Sequence, residues 1–141
     1  MGTRSTIALE YADGTVDQIY CHWDGYLEHN GKILQEHYSD PFKLRNLIDQ
    51  GGISSLAKEI GSKHDFNNMV EGETTFYARD RGEELTVEKF PNFGNYAAFH
   101  QREEFAYCLR NINGKAVWFV AEDDGPFVEL APALATLKEE A

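Results

Sequence analysis

The chain has 141 residues, 42% hydrophobic and 26% charged, with 24 acidic against 13 basic side chains and a net charge of −11. That length fits one domain over 1–141, the composition excludes a disordered acidic tail, and no apolar run approaches the ~20 residues of a membrane span. No basic stripe is present to follow a phosphate backbone, which argues against direct duplex nucleic-acid binding, while an acidic surface suits a basic groove on another protein.

Met1-Gly2-Thr3-Arg4 leads into alternating residues instead of an apolar signal segment, and Gly2 with Ser5 and Thr6 matches a myristoylation start only loosely. Two β-rich runs then flank Asp13-Gly14, a type I′ hairpin signal. A two-residue loop there places Ile7 opposite Tyr20, Thr6 opposite Cys21, Ser5 opposite His22 and Arg4 opposite Trp23. Residues 29–38 carry Ile33, Leu34, His37 and Tyr38 at helical spacing. Asp40 as N-cap and Pro41 as first helical residue start a second helix, with Leu44, Leu47 and Ile48 as its buried stripe and Gly51-Gly52 as its end. A third helical piece is expected from Ser54 to Ile60, followed by a polar loop over 61–73.

Thr74 to Arg79 reads as a strand leading to a turn at Asp80-Arg81-Gly82-Glu83, and Glu84 to Glu88 alternates as a half-solvated strand. Tyr96, Phe99 and Glu103 fit a short helix within 92–104. A second hairpin, Phe105–Arg110 with Ala116–Val120, flanks Asn113-Gly114, with Leu109 facing Trp118, Cys108 facing Phe119 and Tyr107 facing Val120. Glu122 to Gly125 forms a polar turn before a short strand, Phe127–Leu130. Pro132 opens a closing helix whose Leu134 and Leu137 face inward while Lys138-Glu139-Glu140 fray. The expected architecture is an α+β single domain, a mainly antiparallel sheet of five or six strands with two or three helices on one face. Cys21 and Cys108, both inside predicted strands, read as reduced, buried thiols of a cytoplasmic protein.

The open end of the first hairpin gathers Arg4, Ser5, His22 and Trp23, and the chain leaves it through Asp24-Gly25-Tyr26. Ser5, His22 and Asp24 superficially match a nucleophile, base and orienter, with Glu83 as a further acid. His22 and Asp24 project in parallel from one strand, however, and no nucleophile turn accompanies them, so hydrogen bonding at the hairpin end is the better reading. Arg4 across from Trp23 makes a cation–π pair worth about 0.5–1 kcal/mol, or else presents guanidinium and indole to an anionic, nucleotide-like ligand. Arg79 and Arg81 read as members of a salt-bridged turn, with phosphate binding as the sharper alternative. The five histidines His22, His29, His37, His64 and His100 form no HExxH or HxH spacing and no CxxC is present, so neither a metal nor a cofactor is expected.

The opening Thr3-Arg4-Ser5-Thr6-Ile7-Ala8, the segment Tyr20-Cys21-His22-Trp23-Asp24-Gly25-Tyr26, the helix start Asn30-Gly31-Lys32-Ile33-Leu34 and the turn Arg79-Asp80-Arg81-Gly82-Glu83 together resemble a group of small tailed-bacteriophage proteins. Where that group often has Pro after the DGY tyrosine, this chain has Leu27. The resemblance implies a phage-encoded accessory protein in the host bacterial cytoplasm, one that inhibits or redirects a host defence system or enzyme by binding, without catalysis. Two alternatives accompany it: a sponge for a nucleotide immune signal, and a small hydrolase or nuclease. The ligand or partner-binding residues on this reading are Arg4, Ser5, His22, Trp23, Asp24, Tyr26, Arg79 and Arg81, with a host protein or nucleotide-like small molecule as partner, no membrane association, and homo-oligomerisation open.

Overall fold

A computed structural model describes residues 3–99, 104–123 and 125–140. Gly2 of the loose myristoylation pattern, His100, Glu103 and Asp124 lie outside the described residues. The fold is α+β: one mixed sheet of eight strands carries helices on both faces. Two hairpins form its centre, β1 (Ser5–Glu10) with β2 (Val16–Cys21), and β6 (Phe105–Ile112) with β7 (Lys115–Glu122). They join through a parallel β1–β6 ladder that sets Ile7 beside Tyr107 and Leu9 beside Leu109. β3 (Ile53–Ser55) adds parallel to β2, and β4 (Thr75–Phe76) adds antiparallel to β3. β5 (Glu88–Phe90) pairs the other end of β2, and β8 (Val128–Glu129) closes the β7 edge. The mainly antiparallel sheet of five or six strands that was expected is thus corrected in detail, to eight strands with two parallel pairings, β1–β6 and β2–β3. Turns set pairing within each hairpin, but the edges that meet are chosen by burial of apolar faces.

The two faces follow from strand alternation. Ile7, Leu9, Ile19, Cys21, Tyr107, Leu109, Trp118 and Val120 line the larger core. That core is covered by α1 (Lys32–His37), α2 (Pro41–Ile48) and α5 (Leu130–Glu140), which contribute Leu34, Leu44, Leu47, Ile48, Leu130 and Leu134. Ala8, Val16 and Cys108 face the other way and meet Tyr96 of α4 (Phe93–Phe99), with Phe90, Phe93 and Phe127 around it. Helices on one face only was thus too simple, because β1 and β6 are apolar on both sides and need two covers.

Asp40 caps α2 as expected, accepting from the Phe42 amide at 3.0 Å, with Pro41 at the first helical position. The second hairpin has the expected register, because Asn113 (φ 53°) and Gly114 (φ 83°) both adopt the positive φ that a type I′ turn requires. The first hairpin is one residue out of the expected register: Ile7 pairs Ile19, Thr6 pairs Tyr20 and Ser5 pairs Cys21. Here Gly14 alone has positive φ, and the Asp13 carboxylate accepts from the Thr15 amide and hydroxyl at 2.9 and 2.7 Å. With the Gly14 amide bonded to the Tyr11 carbonyl, the loop takes three residues, a tight turn followed by glycine.

Four further expectations are corrected. The segment from Ser54 to Ile60 is not a helix. At seven residues it is too short to hold a helix unaided, and its start pairs with β2 instead. The strand expected over 74–79 ends at Phe76 because α3 (Tyr77–Arg81) begins there, nucleated by the Asp80 carboxylate accepting from the Phe76 amide at 2.8 Å. The 84–88 strand is displaced to Glu88–Phe90, tied to β2 by Gln18–Glu88 and Lys89–Asp17 contacts at 3.0 and 3.2 Å. At the C-terminus α5 already starts at Leu130, which leaves Pro132 in the first turn where no amide hydrogen is needed, and it continues through Lys138 to Glu140. No helix among the described residues is long and apolar enough to cross a membrane.

Candidate functional site

The segment Trp23–Tyr26 is seated on the end of β1 by backbone contacts that only glycine allows. The Gly25 amide donates to the Thr3 carbonyl at 2.8 Å. A Cβ at position 25 would lie 2.8 Å from the Ser5 Cβ, 2.9 Å from the Thr3 carbonyl oxygen and 3.0 Å from the Arg4 carbonyl carbon. The Gly25 carbonyl accepts the buried Tyr107 hydroxyl at 2.6 Å. Asp24 stands at φ 57°, a left-handed conformation uncommon for a non-glycine residue, and its carbonyl accepts the Asn30 amide at 3.2 Å.

A single π-helical turn, Leu27–Gly31, follows and inserts Asn30 beneath the hairpin end. Asn30 is fully buried. Its Nδ2 donates to the Ser5 hydroxyl and the Cys21 Sγ, both at 3.3 Å, while its Oδ1 lies 2.9 Å from the His29 Nδ1. Burial pushes the Cys21 thiol up to about 11, so it stays protonated at neutral pH. Ser5 is likewise fully buried and faces Cys21 instead of His22, so the serine hydroxyl has no solvent access and no base beside it. The alternative nucleophile arrangement loses its geometry here.

Above this base sits an aromatic edge. The His22 and Trp23 amides donate to the Ile53 and Ser54 carbonyls at 3.0 and 3.1 Å, which fixes both residues along β3. Their rings meet edge-on, 4.7 Å apart at 89°. The His22 Nδ1 lies 2.7 Å from the Tyr20 hydroxyl, the residue two earlier on the same side of the strand. Trp23 keeps 41% of its surface exposed. Tyr26 lies close to Asp24, whose negative charge raises the phenol above its ordinary pKa. Arg4 is exposed and makes no cation–π contact with Trp23 among the described residues; its carbonyl accepts the Phe105 amide at 3.3 Å.

The other two arginines serve the fold. Every N–H of the Arg79 guanidinium is engaged: Nε and Nη2 donate to the Asp80 carboxylate, Nη1 to the Ile60 and Gly61 carbonyls, and Nη2 also to the Thr74 carbonyl, all at 2.8–3.1 Å. None remains for an added phosphate. Arg81 pairs with Glu83 and lies over the Phe66 ring at 4.6 Å and the Tyr77 ring at 5.3 Å. A hydroxyl–imidazole–carboxylate set that the sequence reading missed lies nearby: the Thr75 hydroxyl is 3.0 Å from His64 Nε2, and His64 Nδ1 is 3.9 Å from the Asp80 carboxylate. Thr75 is fully buried and His64 Nδ1 bonds the Ser62 carbonyl at 3.0 Å, so this set pins the 61–73 loop and offers a substrate no access. Among the described residues no cluster of three or more His, Cys, Asp or Glu is placed to hold a metal ion.

Sequence reasoning located the hairpin end but missed Asn30, Tyr107 and the closeness of Gly25 to β1. The signal for Asn30 and Gly25 was present in the dense turn chemistry of residues 24–31; Tyr107 gave none, since a tyrosine in an apolar strand reads as core. Tyr107→Phe leaves the buried Gly25 carbonyl without its donor and is expected to cost about 1–3 kcal/mol in urea unfolding. No protein-family model, curated protein or solved structure matches the chain.

Proposed function

We propose that the protein acts by binding, without catalysis, as a phage-type accessory factor that inhibits or redirects a host defence system or enzyme. The observation that carries this reading is the His22–Trp23 edge: a large, amphipathic ring 41% exposed just past the end of β2, on a backbone held by the His22 and Trp23 amide bonds to β3. Tryptophan and tyrosine held rigid at a surface are the residues that anchor protein interfaces, because little side-chain entropy remains to be lost on docking. The net charge of −11 favours a partner with a basic surface. The Thr3–Ala8 and Tyr20–Tyr26 motifs supply the phage assignment by resemblance.

The test is capture of a host protein by the purified chain, compared with Trp23→Ala and His22→Ala. Both variants should keep the wild-type unfolding midpoint to within about 1 kcal/mol, as surface truncations do. They should weaken capture by about thirtyfold, the ~2 kcal/mol expected of an anchor residue. Capture that is indifferent to both substitutions, or an inert co-expression phenotype in the host, rejects the reading.

A nucleotide-like ligand at the same edge is a second reading, favoured by one observation: Arg4 is exposed beside the Gly25 contact and makes no ion pair among the described residues. A nucleotide at one hundred times its Kd stabilises the fold by about 2.7 kcal/mol, a rise of several degrees in Tm. A flat thermal-shift screen across cyclic and linear nucleotides removes it.

A further inference from the structure

At the opposite end of the first hairpin from Trp23, β1 and β6 run out side by side and α2 begins beside them. A cleft of about 310 Å³ opens between these elements. Leu9 and Leu109, neighbours in the parallel ladder, supply its buried part. Ala12, Ala116, Pro41 and Phe42 continue the apolar lining. Phe42 is 79% exposed, because it stands off the buried stripe of α2 formed by Leu44, Leu47 and Ile48. Apolar walls with a few placed polar groups, enclosing upwards of about 300 Å³, are the usual make-up of a small-molecule site.

Three charged residues line the cleft: Glu10, Arg110 and Arg45. Glu10 is already satisfied, since its carboxylate accepts from the Arg110 Nε and Nη2, both at 3.3 Å, and from the Asn111 amide at 3.0 Å. Arg110 is engaged by that pair and by the Phe93 ring, 3.7 Å from its guanidinium. Arg45 differs. Its guanidinium lies over the Tyr11 ring at 5.8 Å and makes no ion pair or side-chain hydrogen bond among the described residues. Asp49, one turn further along the chain, does not pair with it, and the Tyr11 hydroxyl is turned to Asp17 at 2.8 Å. In a chain of net charge −11, an apolar cleft whose one unpaired charge is positive selects an anion. A single guanidinium fork matches a single carboxylate, whereas a phosphate dianion would need a second cation.

We propose that this cleft binds a small organic acid with an apolar body, the carboxylate on the Arg45 guanidinium and the body against Leu9, Leu109, Ala116 and the Phe42 ring. Covering the apolar surface that Phe42 leaves in water drives the binding, and the ion pair orients the ligand. The site lies at the other end of the strands from the His22–Trp23 edge and does not depend on capture of a host protein.

The test follows the Leu9, Leu109 and Ala116 methyl resonances by NMR while the intact protein is titrated with octanoate, with phenylacetate and with the neutral amide of each. Saturable shifts with at least one acid are expected, its amide binding more weakly by at least about fivefold. Arg45→Gln, at an exposed position, should remove that difference by weakening the acid and leaving the amide unchanged. Ala116→Phe, also at an exposed position, should fill the cleft and abolish both, with the circular dichroism spectrum kept. If Ala116→Phe unfolds, Arg45→Gln still decides the question. No saturable shift with either acid, equal binding of acid and amide, a preference for the acid that survives Arg45→Gln, or full binding by a folded Ala116→Phe overturns the proposal. None of these outcomes touches capture of a host protein through Trp23.

Discussion

Asp80→Ala is expected to lower the unfolding free energy by about 3–5 kcal/mol, the cost of breaking a buried ion pair from one side. The Asp80 side chain is fully buried and accepts four kinds of donor: the Phe76 amide at 2.8 Å, the His64 amide at 3.0 Å, and the Arg79 Nε and Nη2 at 3.0 and 3.1 Å. Its removal strands the Arg79 guanidinium, itself mostly buried, and releases both the start of α3 and the 61–73 loop. For a domain of this size a total stability of about 5–15 kcal/mol is usual, so the variant should be largely unfolded in moderate urea. Circular dichroism during urea titration is the measurement, and a loss below about 1 kcal/mol would contradict the role assigned to this carboxylate.

The same group predicts an acid limb. Burial works to raise the Asp80 pKa, but hydrogen bonds from Arg79 and from the Phe76 and His64 amides outweigh it and hold the carboxyl below its ordinary value. A folded-state pKa below the unfolded one contributes stability that is complete above the unfolded value of about 4 and is lost as pH falls through the folded value. Wild type should therefore lose stability below about pH 4 more steeply than Asp80→Asn, which starts lower and has no such proton to bind.

Gly25→Ala is the second large effect, expected at about 3 kcal/mol, the upper end of overpacking. The added methyl meets the Thr3 carbonyl oxygen and the Arg4 carbonyl carbon at 2.9 and 3.0 Å, and these are backbone atoms. The backbone here has little room to yield, since β1 begins at the next residue, Ser5, and is paired on both sides, to β2 and β6. The 23–26 segment must then lift away, which also breaks the Tyr107–Gly25 bond and disturbs Trp23. Gly52→Ala is the control: its Cβ would meet Tyr77 Cδ2 and the Tyr20 carbonyl at ordinary distances of 3.6 and 3.8 Å. That variant should be neutral or more stable by up to about 1 kcal/mol. Equal destabilisation of the two would show that the close approach to β1 is not responsible.

Local chemistry in the sequence determined several elements of this protein by itself. Asp40-Pro41 specified the start of α2, because a capping carboxylate and a residue without an amide hydrogen satisfy a helix N-terminus whatever surrounds it. Asn113-Gly114 specified the β6–β7 register, because both residues accept positive φ. The first hairpin's register was also legible, but in the alternation rather than in the turn. Ile7 and Leu9 share a face with Ile19 and Cys21 only if odd residues oppose odd ones, which rules out the two-residue loop that Asp13-Gly14 invites.

Only the tertiary structure decided the rest. The parallel β1–β6 ladder joins segments about a hundred residues apart, and no local signal encodes which sheet edges meet. Ser54–Ile60 and Thr74–Arg79 are short enough that burial beside β2 and the Asp80 hydrogen bonds override their own preferences. The candidate site divides along the same line. Its place at the hairpin end was visible in the clustering of Arg4, His22, Trp23 and Tyr26. The burial of Ser5, the engagement of Arg79 and the cleft beside Arg45 arose from elements distant in sequence, because burial and hydrogen-bond saturation are properties of the assembled neighbourhood and not of any one segment.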